Sequence, residues 1–122
     1  MKRIREKRLN GIVVLSPKGN LTGGDETDEL RDALKALLEQ EVSCVVINFL
    51  ETEFITSMAL GVLIAAHASF TKRGKRINLC NLDKKIWNLL VITRLSLTFD
   101  VYEDEEKAIA GCAATKIGPP SA

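Results

Sequence analysis

A serine and a histidine are the first pair of side chains in this sequence that could perform chemistry. Ser57 could act as a nucleophile if His67 accepted its proton. The apolar spacing around them predicts one helix, along which a separation of ten residues corresponds to about 15 Å. A nucleophile and its base must lie within about 3 Å of each other. The chain has one histidine, so we do not predict a Ser–His enzyme and expect His67 to pack or to cap locally.

Two acidic residues before this serine are the second candidate for chemistry. Glu51 and Glu53 could form a carboxylate pair that acts as general acid and base, but the sequence assigns no substrate pocket to them. The glycine-rich residues 19–27, GNLTGGDET, lack the lysine that follows the last glycine of a phosphate-binding loop. The sequence therefore predicts no enzyme, cofactor or metal site, with the carboxylate pair as the alternative.

Composition narrows the possible classes of protein. A chain of 122 residues forms one domain, and a net charge of +1 gives no general attraction to nucleic acid or to a membrane. No apolar run reaches the roughly 20 residues of a membrane span, and the charged first residues lack the apolar core of a secretory signal. Cys44, Cys80 and Cys112 have no CxxC spacing. Neither a disulfide nor a zinc site is predicted, and we expect a reducing cytoplasm.

A strand followed by a helix forms the centre of the chain. Residues 44–49, CVVINF, are typical of a strand buried on both faces. The next apolar residues repeat with the period of a helix. The inward face is predicted to carry Ala59, Leu63, Ala66 and Phe70, widened by Leu60 and Ile64, with Met58, Val62 and Ala65 on the other side. Since the start of this helix is apolar almost all round, either it is wholly buried or one side meets a partner.

Two hydroxyls, Thr56 and Ser57, stand at the first turn of that helix. A phosphate on Ser57 would gain from unpaired backbone N–H groups and from the positive end of the helix dipole. It would also place nearly two negative charges on the surface, enough to expel a partner from an apolar docking face. The alternative is that either hydroxyl only caps the helix.

The other elements are predicted from turn residues and periodicity. Asn10 and Gly11 indicate a two-residue hairpin turn. The further predictions are a helix over residues 25–40 capped by Thr22 or Asp25, a strand over 77–80, a third helix capped by Asp83, a strand over 97–101 and an acidic helix over 103–110. The fold class is α/β. We predict one domain over residues 1–110, with a mixed sheet (an opening antiparallel hairpin, then parallel strands) flanked by about four helices, and a flexible tail over residues 111–122.

Three segments resemble the STAS family, the fold of bacterial anti-sigma factor antagonists and of the cytoplasmic tails of sulfate transporters. Residues 19–22, GNLT, are similar to the family's G-x-L-[DT] loop. Residues 54–63, FITSMALGVL, are similar to its pattern F-[IM]-D-S-[ST]-G-L-G-V-L. Residues 86–109 follow the hydrophobic order of the family's third helix, last strand and fourth helix. The resemblance implies a STAS-like domain over almost the whole chain.

The resemblance also implies a function. In the family, the unphosphorylated antagonist binds a serine kinase that is itself the anti-sigma factor, phosphorylation breaks the complex, and a PP2C-type phosphatase restores it. Ser57 falls on the phosphorylated serine. The implied partner-binding residues are Thr22, Thr56, Ser57, Met58, Ala59, Leu60 and Gly61. Such a regulator of transcription acts in the cytoplasm without cofactor, direct nucleic-acid contact or membrane insertion. Whether the chain forms a homodimer is left undecided.

The sequence departs from the family pattern beside the serine. Thr56 replaces the usual Asp, Met58 replaces Ser or Thr, and Ala59 replaces Gly. Thr56 is therefore a second candidate phosphate acceptor. The alternative function is a non-switching STAS scaffold subunit of a signalling or membrane-transport assembly, in which Ser57 only caps a helix.

Overall fold

The computed structural model describes residues 3–113, with the side chains of residues 3–112. Five strands form one mixed sheet in chain order: β1 (Ile4–Leu9), β2 (Ile12–Pro17), β3 (Cys44–Asn48), β4 (Arg76–Cys80) and β5 (Asp100–Tyr102). The α-helices are α1 (Asp25–Leu38), α2 (Ser57–Lys72), α3 (Lys84–Ile92) and α4 (Glu105–Ala113). The predicted fold class is confirmed. Among the described residues, β1 and β2 pair antiparallel, and the pairs β2–β3, β3–β4 and β4–β5 are parallel.

Strands β1 and β2 form the predicted hairpin. Asn10 and Gly11 have positive φ angles of 34° and 81°, as a type I′ turn requires, and Leu9 pairs with Ile12. Strand β1 lies at the edge of the sheet, and every residue after Ile4 is exposed. Its charged side chains therefore face solvent, which discourages pairing with a strand of another molecule.

The remaining strands run parallel, and a helix connects each to the next. The carboxyl ends of β2, β3 and β4 consequently lie at the same side of the sheet, where α1, α2 and α3 begin. We call this side the carboxyl edge, and the opposite side, where those helices end, the amino edge. The predicted hydroxyl site lies at the carboxyl edge.

Helices cover both faces of the sheet. Val45 and Ile47 of β3 pack in the larger core with residues of α1, α2 and α3. Val46 of the same strand and Cys80 pack with Ala108 of α4 in a smaller core on the other face. Successive residues of a strand point to opposite faces, and β3 is buried throughout. The prediction of a strand covered on both faces is confirmed.

Helix α2 presents the predicted side to the core except at two residues. Ala59, Leu63 and Phe70 are buried as expected. Val62 is buried, however, and Ile64 is exposed, so the prediction for both is wrong. The exchange of Val62 for Ile64 on the core side has a packing reason, because α1 lies along the side of α2 that carries Val62.

The predicted strand over residues 97–101 begins three residues later. Arg94 takes a left-handed conformation with φ of 65° and ends α3. Leu95–Leu97 then forms a short 3-10 helix, and the N–H groups of Thr98 and Phe99 both donate to the carbonyl of Leu95 at 3.0 Å. The alternating apolar residues suggested a strand, but the backbone satisfies its hydrogen bonds within the turn. Phe99 is buried and ends this turn before β5 begins.

The last helix differs in its bounds from the prediction of residues 103–110. Helix α4 begins at Glu105, after Asp104 accepts a hydrogen bond from the Lys107 N–H at 2.9 Å. It continues to Ala113, so the first three residues of the predicted tail are helical. Residues 114–122 of that tail lie outside the described residues.

The cysteine prediction is also wrong, so the cysteines no longer support the expected reducing cytoplasm. A disulfide joins Cys44 at the start of β3 to Cys112 in α4, with the two Cα atoms 5.8 Å apart. The two residues are 68 positions apart in the chain, and only the packing of α4 across the sheet brings them together. Cys80 has a free thiol, and its burial, with the charges of Glu105 and Asp104, raises its pKa to about 12.

Within residues 3–113, no helix combines the length and apolar character needed to cross a membrane.

Candidate functional site

Two loops meet at the carboxyl edge and carry the candidate site. One connects β2 to α1 and the other connects β3 to α2. Leu21 and Ile55 form a parallel bridge between the loops. The Thr56 N–H donates to the Leu21 carbonyl at 2.9 Å, and the Leu21 N–H donates to the Phe54 carbonyl at 3.4 Å. The segment before Ser57 is thus held against the segment that contains Thr22.

Side chains reinforce this junction. The side-chain oxygen of Asn20, Oδ1, accepts hydrogen bonds from the N–H groups of Glu53 and Phe54 at 2.8 and 3.1 Å. The buried Thr52 hydroxyl donates to the Gly19 carbonyl at 3.0 Å. These contacts satisfy polar groups of both loops, so the two loops hold the residues of the site in a fixed position.

Glu26 fixes the loop before α1. Its carboxylate accepts hydrogen bonds from the Thr22 N–H at 2.6 Å, the Thr22 hydroxyl at 2.8 Å and the Gly24 N–H at 3.1 Å. Hydrogen bonds from Thr22 are the main reason that the pKa of Glu26 falls from its ordinary value of 4.5 to about 2. Helix α1 has Gly24 as its N-cap, so the predicted caps, Thr22 and Asp25, are wrong. Sequence reasoning missed this role of Glu26, and a carboxylate close after a loop threonine was its only signal.

Helix α2 begins without a side-chain cap. Thr56 occupies the N-cap position with extended backbone angles, and its carbonyl accepts the first helical hydrogen bond from the Leu60 N–H at 2.9 Å. The Thr56 hydroxyl is buried and has no hydrogen-bond partner among the described residues. Ser57, the first helical residue, is exposed to solvent. The two hydroxyls at this turn therefore differ in access: one faces the protein and the other faces solvent.

The predicted partner-binding residues divide into surface and core. The exposed members are Thr22, Ser57, Met58 and Gly61. Thr56 is half-buried, whereas Ala59 and Leu60 are buried in the larger core. The structure therefore brings the exposed members and Thr56 together at one end of α2, and it buries the side chains of Ala59 and Leu60.

Met58 connects the two loops of the site. A Cβ atom built on Gly23 would lie 3.1 Å from the Met58 sulfur and 3.3 Å from its Cβ, so the Met58 side chain packs directly on the Gly23 backbone. Beyond Met58, a groove of about 400 Å³ runs between α1 and α2. Its walls are mostly apolar, with Arg31 and Lys35 on the α1 side. This groove continues the exposed, uncharged surface of Ser57, Met58 and Gly61.

Ser57 and His67 do not come together, whereas the two glutamates share one open cavity. His67 packs against Phe99 with ring centroids 5.1 Å apart, in the half of α2 away from Ser57. Glu51 and Glu53 are exposed and line an open cavity of about 800 Å³ at the carboxyl edge. Glu51 is ion-paired with Arg5 at 3.4 Å. Among the described residues, no group of three or more His, Cys, Asp or Glu could hold a metal ion.

Comparisons with known proteins agree with this architecture. A family model described as STAS domain matches residues 3–108. A candidate anti-sigma factor antagonist from Thermotoga maritima is 19% identical with a TM-score of 0.84, over 91% of this chain and 95% of that one. An anti-sigma factor antagonist from Mycobacterium paratuberculosis is 20% identical with a TM-score of 0.79, over 91% and 93% of the two chains.

A third solved structure is the phosphorylated form of the Bacillus cell fate determinant SpoIIAA. It is 18% identical with a TM-score of 0.72, over 88% of this chain and 97% of that one. No curated protein sequence matches the chain significantly. At these identities the structural likeness establishes the fold.

Proposed function

Since this chain belongs to the STAS domain family, we propose that it is an anti-sigma factor antagonist switched by phosphorylation of Ser57. In its unphosphorylated form it binds a serine kinase that acts as an anti-sigma factor, which frees the sigma factor. Phosphorylation ends this binding, and a PP2C-type phosphatase restores it. The kinase and phosphatase supply the chemistry in the cytoplasm, and this chain supplies the acceptor hydroxyl. Structural neighbours that are anti-sigma factor antagonists support the proposal.

The observation that carries the proposal is the exposed Ser57 at an uncapped helix start. A phosphate there would be stabilised by the free N–H groups of the first turn and by the helix dipole. The rival acceptor, Thr56, has a buried hydroxyl, so a kinase would have to open the turn to reach it. Accessibility therefore favours Ser57 as the acceptor.

The surface around Ser57 supports a switch by charge. Met58 and Gly61 are exposed, and the first turn of α2 contains no acidic residue. A partner that docks on this apolar surface would remove it from water. A phosphate on Ser57 would put nearly two negative charges into that contact, and the cost of desolvating them would separate the two proteins. Ala59 and Leu60 contribute by holding α2 on the core rather than by touching the partner.

Capture of the kinase from native cells by tagged variants tests this proposal. We expect Ser57→Ala to capture a serine kinase of the anti-sigma type, and Ser57→Asp to bind it about tenfold more weakly or not at all, because the charge becomes unpaired in the contact. Ser43→Asp is the matched control, because Ser43 is an exposed serine at the amino edge. Equal capture by Ser57→Asp and Ser57→Ala would refute the switch and leave the non-switching scaffold as the better account.

A further inference from the structure

The outer side of the α3 C-terminus carries apolar side chains that the described part of the chain does not cover. Ile92 is 78% exposed, and Val91 beside it is 47% exposed. Leu97, in the 3-10 helix that follows, is 85% exposed. We call these three residues and Arg94 between them the α3 tip. Single exposed apolar residues are common on protein surfaces, but a group of this kind marks an interaction surface.

The charged side chains of α3 and of the turn that follows it are all basic. Residues 84–99 contain Lys84, Lys85 and Arg94 and no acidic residue. None of these three cations forms an ion pair with a carboxylate of residues 3–112. The acidic residues on either side are already engaged. Asp83 caps α3 by accepting from the Lys85 N–H at 2.9 Å, and Asp100 is ion-paired with Arg76 at 3.0 Å.

Helix geometry aligns the cations with the apolar residues. Lys84 precedes Val91 by seven residues, and Lys85 precedes Ile92 by the same number. Seven residues are almost two full turns, so each lysine lies on the same side of α3 as its apolar counterpart, about 10 Å farther from the tip. The surface therefore has an apolar end that contains one arginine. A pair of lysines lies farther back along the helix.

We propose that the α3 tip inserts into the surface of a bilayer that contains anionic phospholipid. Apolar side chains that enter the headgroup region by about 5–10 Å, with basic residues left at the level of the phosphates, are the pattern of interfacial binding. A second copy of this chain is a poor occupant, because a symmetric contact would gather six cations in one interface, and residues 84–99 supply no carboxylate to pair with them. An anionic surface neutralises them instead.

The position of the tip is compatible with a partner at the candidate site. Helix α3 begins at the carboxyl edge after β4 and ends at the amino edge before β5. Ser57 begins α2 at the carboxyl edge. Ser57 therefore lies at the opposite edge of the sheet from the apolar residues of the α3 tip. The inference therefore does not depend on the proposed switch.

Flotation of the full chain with lipid vesicles tests the inference. We expect binding to vesicles of phosphatidylcholine and phosphatidylglycerol in equal parts, and none to pure phosphatidylcholine. Leu97→Glu and Ile92→Glu should each weaken binding about tenfold or more, because a buried apolar side chain is replaced by a charge. Arg94→Ser should weaken it about fivefold, the equivalent of about 1 kcal/mol for each basic side chain near the surface.

Leu50→Glu is the matched control, because Leu50 is a leucine 71% exposed at the carboxyl edge, and it should bind as the unsubstituted chain does. Ser57→Asp should also bind normally, which separates this inference from the proposed switch. Absence of binding to the anionic vesicles, or equal binding by Leu97→Glu, would overturn the inference. So would a dimer without lipid, seen by sedimentation, that Leu97→Glu converts to a monomer.

Discussion

Gly23 lies directly against Met58, so that a Cβ on the glycine would be 3.1 Å from the methionine sulfur. Gly23 also has a φ of 97°, a conformation that residues with a side chain rarely adopt. The contact joins the loop that carries Thr22 to the first turn of α2. The geometry of the candidate site therefore depends on the absence of a side chain at residue 23.

The first prediction concerns this glycine. Gly23→Ala should lower the free energy of unfolding by about 1–2 kcal/mol, because the alanine is strained at positive φ and crowds Met58. Gly61→Ala is the control: a Cβ there would meet no atom within 4 Å, and alanine should stabilise the helix by about 0.5–1 kcal/mol. Urea unfolding measures both. Equal effects of the two substitutions would contradict the packing described here.

The second prediction concerns the buried hydroxyl of Thr56. Since Thr56 Oγ1 has no hydrogen-bond partner among the described residues, Thr56→Val should raise the free energy of unfolding by roughly 1 kcal/mol. Thr52→Val is the matched control and should lower it by about 1–3 kcal/mol, because the Thr52 hydroxyl donates to the Gly19 carbonyl. A loss of stability in Thr56→Val would show that its hydroxyl has a partner after all.

The third prediction concerns Glu26 and pH. The folded pKa of Glu26, about 2, is below its ordinary value of 4.5, so the charged carboxylate stabilises the fold. This contribution is complete above about pH 4.5 and is lost as the pH falls toward 2. Glu26→Gln should therefore be less stable than the unsubstituted chain at pH 7, and the difference should shrink over that interval. Unfolding curves across this pH range give the measurement, with Glu106→Gln, an exposed glutamate of α4, as control. A difference that does not change with pH would contradict the assigned role.

The fourth prediction concerns the disulfide. Cys112→Ser should lower the free energy of unfolding of the oxidised protein by about 2–4 kcal/mol, because the Cys44–Cys112 bond closes a long loop. With a reducing agent, the variant and the unsubstituted chain should differ much less. Cys80 should resist alkylation until the chain unfolds, since its thiol is buried with a pKa of about 12. Rapid alkylation of Cys112 in the oxidised protein would contradict the pairing.

Much of this fold could be predicted from local patterns. Asn10 and Gly11 determine the hairpin turn, and the apolar run of β3 indicates a strand covered on both faces. Asp83 caps α3 as expected. In each case the pattern that supports the prediction lies within a few residues, so the sequence contains it directly.

The errors arise where contacts between distant parts of the chain determine the structure. The side of α2 that faces the core depends on α1: the helical period favoured Ile64 over Val62 as an inward residue, but Val62 is buried and Ile64 is exposed. The pairing of Cys44 with Cys112 depends on how α4 crosses the sheet. In the candidate site, the segment that the resemblance indicated stays a prediction, and only the packed structure separates the exposed Ser57 from the buried Leu60.

Phosphate mapping on the chain recovered from its native cells, with and without stress, is the most direct test of the central claim. The account predicts a population that is heavier by one phosphate, carried on Ser57, whose share changes with the condition. Thr56→Val should leave this modification in place, and Ser57→Ala should abolish it. No phosphate under any condition, or phosphate carried on Thr56 alone, would contradict the assignment of Ser57 as the switch.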